Sequence, residues 1–350
     1  MYKADMNVSK SNLSDESGYS VGVVVATYNG EKYIEAQLRS LYEQTRLPDV
    51  ILVTDAGSSD GTVSICKQFF GAVPGVDLRI LTNENTETAL GVVDNFEKGL
   101  DALDTDYIFF CDQDDVWMPR KIESVVTHMS KTDAALCFSN ADVVDGDLQQ
   151  MGNSLWSSYG FYPEMNGEKY VLYLPGEKSR LFSQLLSNNI VTGMTMCMRS
   201  SLKTTLLPFS KHGYHDAWIS ILASLLVNVV ALNENLVLYR QHGANQEGAN
   251  RAHKKKNLIQ RREKVLERQL FLMDLKSRLA REGFPVPQAL VRCIEFEQKR
   301  FEMLSELRLP RKEEVNEYRD YYAKPRNVMV KDCVYILYSA LRGLHERRLS

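Results

Sequence analysis

The sequence predicts an α/β fold, a mostly parallel sheet flanked by helices, with a helical extension at the C-terminal end. Three observations predict it. Short apolar, β-branched runs alternate with stretches of helical spacing through the first half of the chain. Each of those runs ends in a polar turn, and the last hundred residues change to amphipathic helices of opposite charge. The 350 residues are 44% hydrophobic and 25% charged, ordinary for a globular chain long enough for one large domain and a smaller one.

The first twenty residues are polar and lack an apolar segment, so they read as a disordered leader and not as a secretory signal. "VGVVVATYNG" (21–30) is a buried strand running into a Thr-Tyr-Asn-Gly turn. Residues 31–46 place Tyr33, Ile34, Leu38 and Leu41 at helical spacing. "DVILVTDAGSSDGT" (49–62) repeats the design, and helical signal resumes through Cys66, Phe69 and Phe70. "LRILTN" (78–83) predicts a third strand, "GVVDNFEKGLDAL" (91–103) a helix, and "DYIFFCDQDD" (106–115) a fourth strand. Such alternation implies parallel pairing with both faces covered, and ligands then bind beyond the carboxyl ends of the strands. Asn29, Asp55 and Asp112 all fall there.

"KIESVVTHM" (121–129) predicts a helix and "AALCFSNADVV" (134–144) a strand with a polar exit. Residues 146–180, rich in Gly, Ser, Tyr and Pro, read as a long substrate-facing loop. "FSQLLSNNIVTGMTMCMRSSL" (182–202) gives a helix, a turn and a strand, and "HDAWISILASLL" (215–226) a helix. "LNENLVLYRQHGANQ" (232–246) is a last strand ending in Arg240 and His242. Beyond it, apolar residues at 258, 265, 272 and 279, with a second row at 259, 266 and 273, make an amphipathic helix with seven-residue spacing. "EGFPVP" breaks it, and further helices follow. The expected division is a leader at 1–20, the α/β domain at 21–250 and a basic helical region at 251–350.

The overall charge of -3 hides an asymmetry: residues 251–350 hold 24 Lys and Arg against 14 Asp and Glu, and the rest of the chain is correspondingly acidic. A basic tail can meet nucleic acid, an anionic membrane surface or the acidic domain. The apolar rows favour helices lying on a cytoplasmic leaflet over nucleic acid, with internal packing or a homodimer as the competing use. No run of about 18 apolar residues predicts a membrane span. Six scattered cysteines without a CxxC read as free thiols, which places the chain in a reducing, cytoplasmic setting, peripheral on the membrane's inner face if the tail binds it.

Asp112, Asp114 and Asp115 crowd the mouth of a hydrophobic strand. Carboxylates about 5 Å apart in an effective dielectric near 20 repel by about 3 kcal/mol a pair, so positive charge belongs there. One account is a solvated acidic loop. The other is a site for Mg2+ or Mn2+, held by one or two carboxylates and completed by phosphate oxygens and waters, which predicts a phosphate-bearing substrate. His215-Asp216 opens an apolar helix, where Asp216 is a cap or a general base; spacing alone favours the cap. Asp55 is a nucleotide ligand or a turn-starting Asp. Arg240 and His242 face a diphosphate or merely edge the sheet. Neither a phosphate-binding GxxxxGK(S/T) loop, nor GxGxxG, nor GxSxG occurs.

The segments "VVVATYNGEKYIEAQLRSLYEQT", "VTDAGSSDGT", "GVVDNFEKGL", "DYIFFCDQDDVWMPRKIE", "VTGMTM", "HDAWISILAS" and "LVLYRQHG", in that order, resemble family-2 glycosyltransferases. The nearest likeness is to bacterial rhamnosyltransferase-like members that build surface polysaccharides, and it covers about residues 20–245. The resemblance implies a GT-A fold, which is Rossmann-like, a nucleoside-diphosphate sugar donor, Mg2+ or Mn2+, and inverting transfer to a glycan or lipid-linked acceptor. Thr27, Tyr28 and Asn29 match the first nucleotide loop and Asp55 the next acidic turn. Asp112 and Asp114 match the DxD pair, with Asp114 the direct metal ligand and Asp112 facing the ribose. Asp216 matches the catalytic base, which lifts it above the cap reading. Arg240 joins the nucleotide-sugar site, and His242 joins Asp114 and Asp112 as a candidate metal ligand.

One position departs from the family pattern. Where the family usually writes Asp-Asp-Gly-Ser, this chain has "DAGS", so Ala56 replaces an acid that commonly binds the base. A charge-assisted hydrogen bond of that kind is worth about 1.5–3 kcal/mol. The departure motivates an alternative, a non-catalytic nucleotide-sugar-binding subunit of an assembly complex. Retention of Asp112, Asp114 and Asp216 argues against it. A nucleotidyltransferase is a third possibility, but "ATYNGEKY" lacks the glycine- and basic-rich loop such chemistry uses.

Overall fold

The computed structural model describes residues 18–70, 75–83, 89–243, 257–319 and 328–349. The leader expected at 1–20 therefore lies outside the described residues up to residue 17. The first half alternates as expected: β1 (Val21–Thr27), α1 (Ile34–Tyr42), β2 (Val50–Asp55), α2 (Thr62–Phe70), β3 (Asp77–Thr82), α3 (Val92–Ala102) and β4 (Tyr107–Asp112). Its strands pair in parallel in the order β3-β2-β1-β4. Val21, Val23 and Val25 face one layer and Val24 the other, so β1 is buried on both sides.

The second half is mixed. It runs β5 (Val116–Trp117), α4 (Lys121–Thr132), β6 (Leu136–Val144), β7 (Gln150–Ser154), α5 (Leu155–Tyr159), β8 (Tyr170–Tyr173), α6 (Arg180–Ser187), a 3-10 turn (Gly193–Thr195), β9 (Met196–Arg199), α7 (Lys203–Leu206), α8 (His215–Leu226) and β10 (Val229–Arg240). β9 lies antiparallel between β4 and β6, while β6 and β10 pair in parallel. β5 adds antiparallel to β10. The long loop expected at 146–180 is instead partly ordered: β7 folds back on β6, α5 is capped by Ser154, and β8 pairs with β10. Composition concealed β7 because four of its five residues are exposed, and pairing with β6 holds it in place of burial.

The C-terminal region comprises α9 (Leu258–Arg281), α10 (Gln288–Ser305), α11 (Lys312–Glu317) and α12 (Val328–Leu349). α9 starts at a capping box in which Asn257 and Gln260 bond reciprocally. The row at Val265, Leu272 and Leu279 is buried, and Phe271, Leu272, Leu275 and Leu279 belong to the same core cluster as Trp218 of α8. Arg278 donates to the carbonyls of Thr205, Leu207 and Pro208, each at 2.7 Å. Asp332, fully buried in α12, accepts from Arg300 and Arg261 at 2.8 Å. The row that the sequence offered to a membrane is thus spent on internal packing: Leu272 and Leu279 join the core of the α/β domain, and Val265 packs with Leu304 of α10 and Ile336 of α12. The second row, Ile259, Leu266 and Met273, stays exposed. The molecule is two-part in charge but continuous in its core.

Candidate active site

The strand register brings the predicted residues to one end of the sheet: Ala26 lies opposite Asp112 and Thr27 opposite Asp55. Thr27 Oγ1 donates to Asp55 Oδ1 at 2.9 Å, and the N–H groups of Gly57 and Ser58 donate to Asp55 Oδ2 at 3.0 and 2.8 Å. Asp55 is therefore spent on its own turn and is 2% exposed; it shapes the turn after β2 from beneath. Asn29 sits in the left-handed region (φ 47). Its Oδ1 accepts the Ser59 N–H at 2.9 Å while its own N–H donates to Ser58 Oγ at 2.8 Å. These bonds fasten the loops after β1 and β2 together and leave Tyr28 exposed above them.

Gln113, between the two DxD acids, holds the same loop from the other side. Its Oε1 accepts the Tyr28 N–H at 2.9 Å and its Nε2 donates to the Tyr28 carbonyl at 3.0 Å. Ala56 is buried, and its carbonyl accepts the Leu90 N–H and the Asn83 side-chain amide. The position that carries an acid in the family thus presents backbone and a neighbouring amide.

Pairing of β5 with β10, Trp117 opposite Val237, draws the acidic turn against the exit of β10. Asp115, fully buried, accepts the Arg240 N–H at 2.9 Å. The Arg240 guanidinium donates to the carbonyls of Asp114 and Gly146, both at 2.6 Å, and is stacked 4.7 Å from the Tyr33 ring centre. Expected to face the diphosphate, Arg240 is instead 5% exposed and braces the turn that carries Asp114. His242 Nε2 lies 2.8 Å from Asp114 Oδ2, its ring 4.5 Å from that of Tyr33.

Burial first, then the charges of Asp114 and Asp216, push Asp112 up to about 7. Burial, Asp114 and Asp112 hold Asp115 well above the usual carboxylate range. A basic side chain is buried in the same layer. Lys121, at the start of α4, is fully buried, with its ammonium 3.6 Å from the Trp117 ring centre and donating to the Met194 carbonyl. Burial draws it down to about 7 against the upward pull of Cys111, Asp115, Cys197 and Asp112.

Asp216 does not cap α8; Tyr214 occupies the cap position, and Asp216 lies within the first turn. Asp216 Oδ1 accepts from Asn189 Nδ2 at 2.9 Å and from the Ala217 N–H at 2.6 Å. Burial outweighs these bonds and pushes Asp216 up to about 6. His215 packs 4.1 Å from Phe96, and burial takes it down to about 3, so the ring is neutral near pH 7. A Cβ at Gly193 would lie 2.6 Å from His215 Nε2, so that close approach requires glycine.

Among the described residues, no group of three or more His, Cys, Asp or Glu side chains is gathered to hold an ion by itself. Asp112, Asp114 and His242 therefore do not form a closed cage. The donor set at Asp114 and His242, one carboxylate and one imidazole beside the strained Asp112, fits a cation completed by phosphate oxygens and waters, and the imidazole suits Mn2+ better than Mg2+. Sequence reasoning missed Gln113, Tyr33, Asn189, Gly193 and Lys121. Gln113 alone carried a signal, its place inside the DxD pair.

Residues 22–205 match the sequence profile described as glycosyl transferase family 2. The chain is 28% identical over 244 residues to a dTDP-rhamnosyl transferase, RfbG, of Shigella flexneri, covering 66% of this chain and 76% of that protein. It is 26% identical over 216 residues to WfgD of Escherichia coli, a UDP-Glc:alpha-D-GlcNAc-diphosphoundecaprenol beta-1,3-glucosyltransferase, covering 61% and 74%. Among solved structures, residues 1–349 of Staphylococcus aureus TarS in complex with UDP superpose with a TM-score of 0.52 at 17% identity, covering 93% of this chain and 92% of that one. The TarS likeness establishes the GT-A fold, and the match over more than half of the sequence establishes the family: this chain belongs to glycosyl transferase family 2.

Proposed function

We propose that the protein is an inverting glycosyltransferase of surface-polysaccharide synthesis. It moves a sugar from a nucleoside-diphosphate donor to a hydroxyl of a glycan or lipid-linked acceptor. The observation that carries this is a buried carboxylate, Asp216, held in the first turn of α8 by Asn189 Nδ2 and the Ala217 N–H, with burial raising it to about 6. A protein that only holds a nucleotide sugar has no use for such a base, so the alternative of a binding subunit is disfavoured.

The acceptor oxygen bonds to the anomeric carbon as that carbon's bond to the diphosphate breaks. The hydroxyl proton passes to Asp216, and the nucleoside diphosphate leaves with the bonding electrons. A single displacement inverts the centre. Asn189 and the Ala217 N–H aim the base; Gln113, Asn29 and Asp55 hold the loops that would receive the nucleotide under Tyr28. A Mg2+ or Mn2+ ion held by Asp114 and His242 supplies, when bound, countercharge for the departing diphosphate.

The RfbG likeness makes dTDP-rhamnose the first donor to test, and the WfgD likeness makes UDP-glucose the second. Donors are incubated with a polyprenyl-diphosphate sugar acceptor and Mn2+. Release of free nucleoside diphosphate with a glycosylated, anomerically inverted product supports the reading. Binding without product across the panel returns the chain to the binding-subunit class.

An acceptor on a lipid would place the protein at a membrane surface. No described helix is long and apolar enough to cross a membrane. The outer face of α9 sets Ile259, Arg262, Leu266, Met273 and Lys276, all exposed, in one stripe at helical spacing. Alternating apolar and cationic side chains suit an anionic headgroup layer. Flotation with phosphatidylglycerol vesicles should fall on replacing Ile259, Leu266 and Met273 by Ser. Equal flotation refutes the contact.

A further inference from the structure

We propose a saccharide subsite away from the reacting centre: a cavity between the loop after α5 and the start of α6 that holds one ring of a glycan acceptor. The inference rests on the glycosyl-transfer reading above and narrows its acceptor to a chain of several sugars. The cavity has a volume of about 240 Å³ and is lined by Phe161, Tyr162, Tyr173, Arg180 and Gln184, among others. Drug-sized ligands fill about 300–1,000 Å³, so this smaller space suits a single sugar ring.

The local fold builds this surface deliberately. α5 ends at Gly160 in the left-handed region (φ 67), and the Phe161 N–H then donates to the Trp156 carbonyl at 2.8 Å. That reversal sends Phe161 into the core, its ring edge-on to Trp156 at 4.9 Å, and turns the next residue outward. Tyr162 is consequently 70% exposed, and its hydroxyl reaches back to the Ser157 carbonyl at 3.4 Å. A ring held in this way offers a wide contact face at little cost in side-chain entropy. Arg180 donates to Glu164 Oε1 at 2.8 Å, which fixes the guanidinium while using one of its five N–H groups.

The chemistry of these side chains favours a neutral sugar. The C–H face of a pyranose lies against the electron-rich face of an aromatic ring, and its hydroxyls meet the Gln184 amide and the Arg180 fork. The pairing with Glu164 offsets the arginine charge, so a phosphate gains less here than at an unpaired cation. α6 connects the cavity to the base. Arg180 and Gln184, four residues apart, share one side of the helix. The Asn188 N–H closes its last turn on the Gln184 carbonyl at 2.9 Å, and the next residue, Asn189, donates to Asp216 Oδ1 at 2.9 Å. Gln184 stands about 5 Å of helical rise from the end of α6. A glycan running along α6 with its terminal hydroxyl at Asp216 therefore lays an earlier ring in the cavity.

The test begins with binding, which needs no turnover. Saturation-transfer NMR and calorimetry on the full chain, without donor or metal, use di-, tri- and tetrasaccharides of rhamnose, glucose and N-acetylglucosamine. At least one should bind, and Tyr162→Ala should weaken it by about tenfold. Tyr338→Ala, which removes an equally exposed ring from α12, should leave that binding unchanged. Should Tyr162→Ala not fold, Gln184→Ala takes its place. No binding by any saccharide, binding that survives the cavity variant, or equal loss in Tyr338→Ala overturns the proposal. Absence of turnover with every donor would defeat the functional reading, and the binding comparison would still decide the subsite. Given turnover, lengthening the acceptor should lower KM in wild type but not in Tyr162→Ala, with kcat within about twofold between them. A KM indifferent to acceptor length in wild type overturns the subsite.

Discussion

Replacing Asp112 by Asn should stabilise the ligand-free protein at alkaline pH. The ordinary carboxyl value of 3.8 is raised to about 7 in the fold, by burial first and then by Asp114 and Asp216. A group whose folded value lies above its unfolded one favours the folded state most below pH 4 and withdraws that support as the pH climbs through 7. A rise of that size is worth about 4 kcal/mol when the whole of it falls on one carboxyl. Asp112 keeps some contact with solvent and its neighbours share its protons, which leaves about 2 kcal/mol. In a protein of 350 residues that corresponds to about 3 °C in Tm. Asn has the shape of Asp without the charge, so packing is kept. Thermal unfolding in chelator should show the variant ahead by that margin at pH 8, by less than half of it at pH 5, and level with wild type below pH 4. Mn2+ with nucleoside diphosphate should then raise the wild-type Tm more than the variant's. A variant no more stable than wild type at pH 8, or one whose gain is the same at pH 5 and pH 8, refutes the reasoning.

Four further outcomes follow from the structure. Asp216→Asn should lower kcat by about 10³-fold, within the usual span for a lost general base, while calorimetry finds donor binding intact. In the wild type, kcat should rise with pH through about 6 and then level, since Asp216 must be ionised to take a proton. Asp114→Asn and His242→Ala should each remove the difference in nucleoside-diphosphate affinity between Mn2+ and chelator, read by thermal shift. Arg278→Ala should cost about 3 kcal/mol, because three carbonyls lose a charged donor inside the protein, and chemical denaturation should read the loss.

The sequence carried the frame of the site and little of its support. The apolar runs ending in Thr27, Asp55 and Asp112 were legible because a strand buried on both faces reads as continuous β-branched residues. α8 began and ended where its pattern said. β5 was hidden because two residues carry no periodicity, yet its pairing with β10 sets His242 against Asp114. Lys121 was hidden for a different reason: a lysine at the first turn of a helix reads as solvated, and only the tertiary fold buries it against Trp117. Asp55 and Arg240 were recognisable as residues of the site, but which way they faced depended on loop bonds with partners as distant as Thr27 and Gly146. The spacing of Val265, Leu272 and Leu279 announced an apolar face without saying what would cover it.

Because Phe271, Leu272 and Leu275 complete the packing around Trp218, the boundary near residue 250 is a seam in charge and not a line along which the protein can be cut. A fragment ending there would bare an oily wall directly behind the helix that bears Asp216. The C-terminal helices are in this sense the back wall of α8, not an appendage to it.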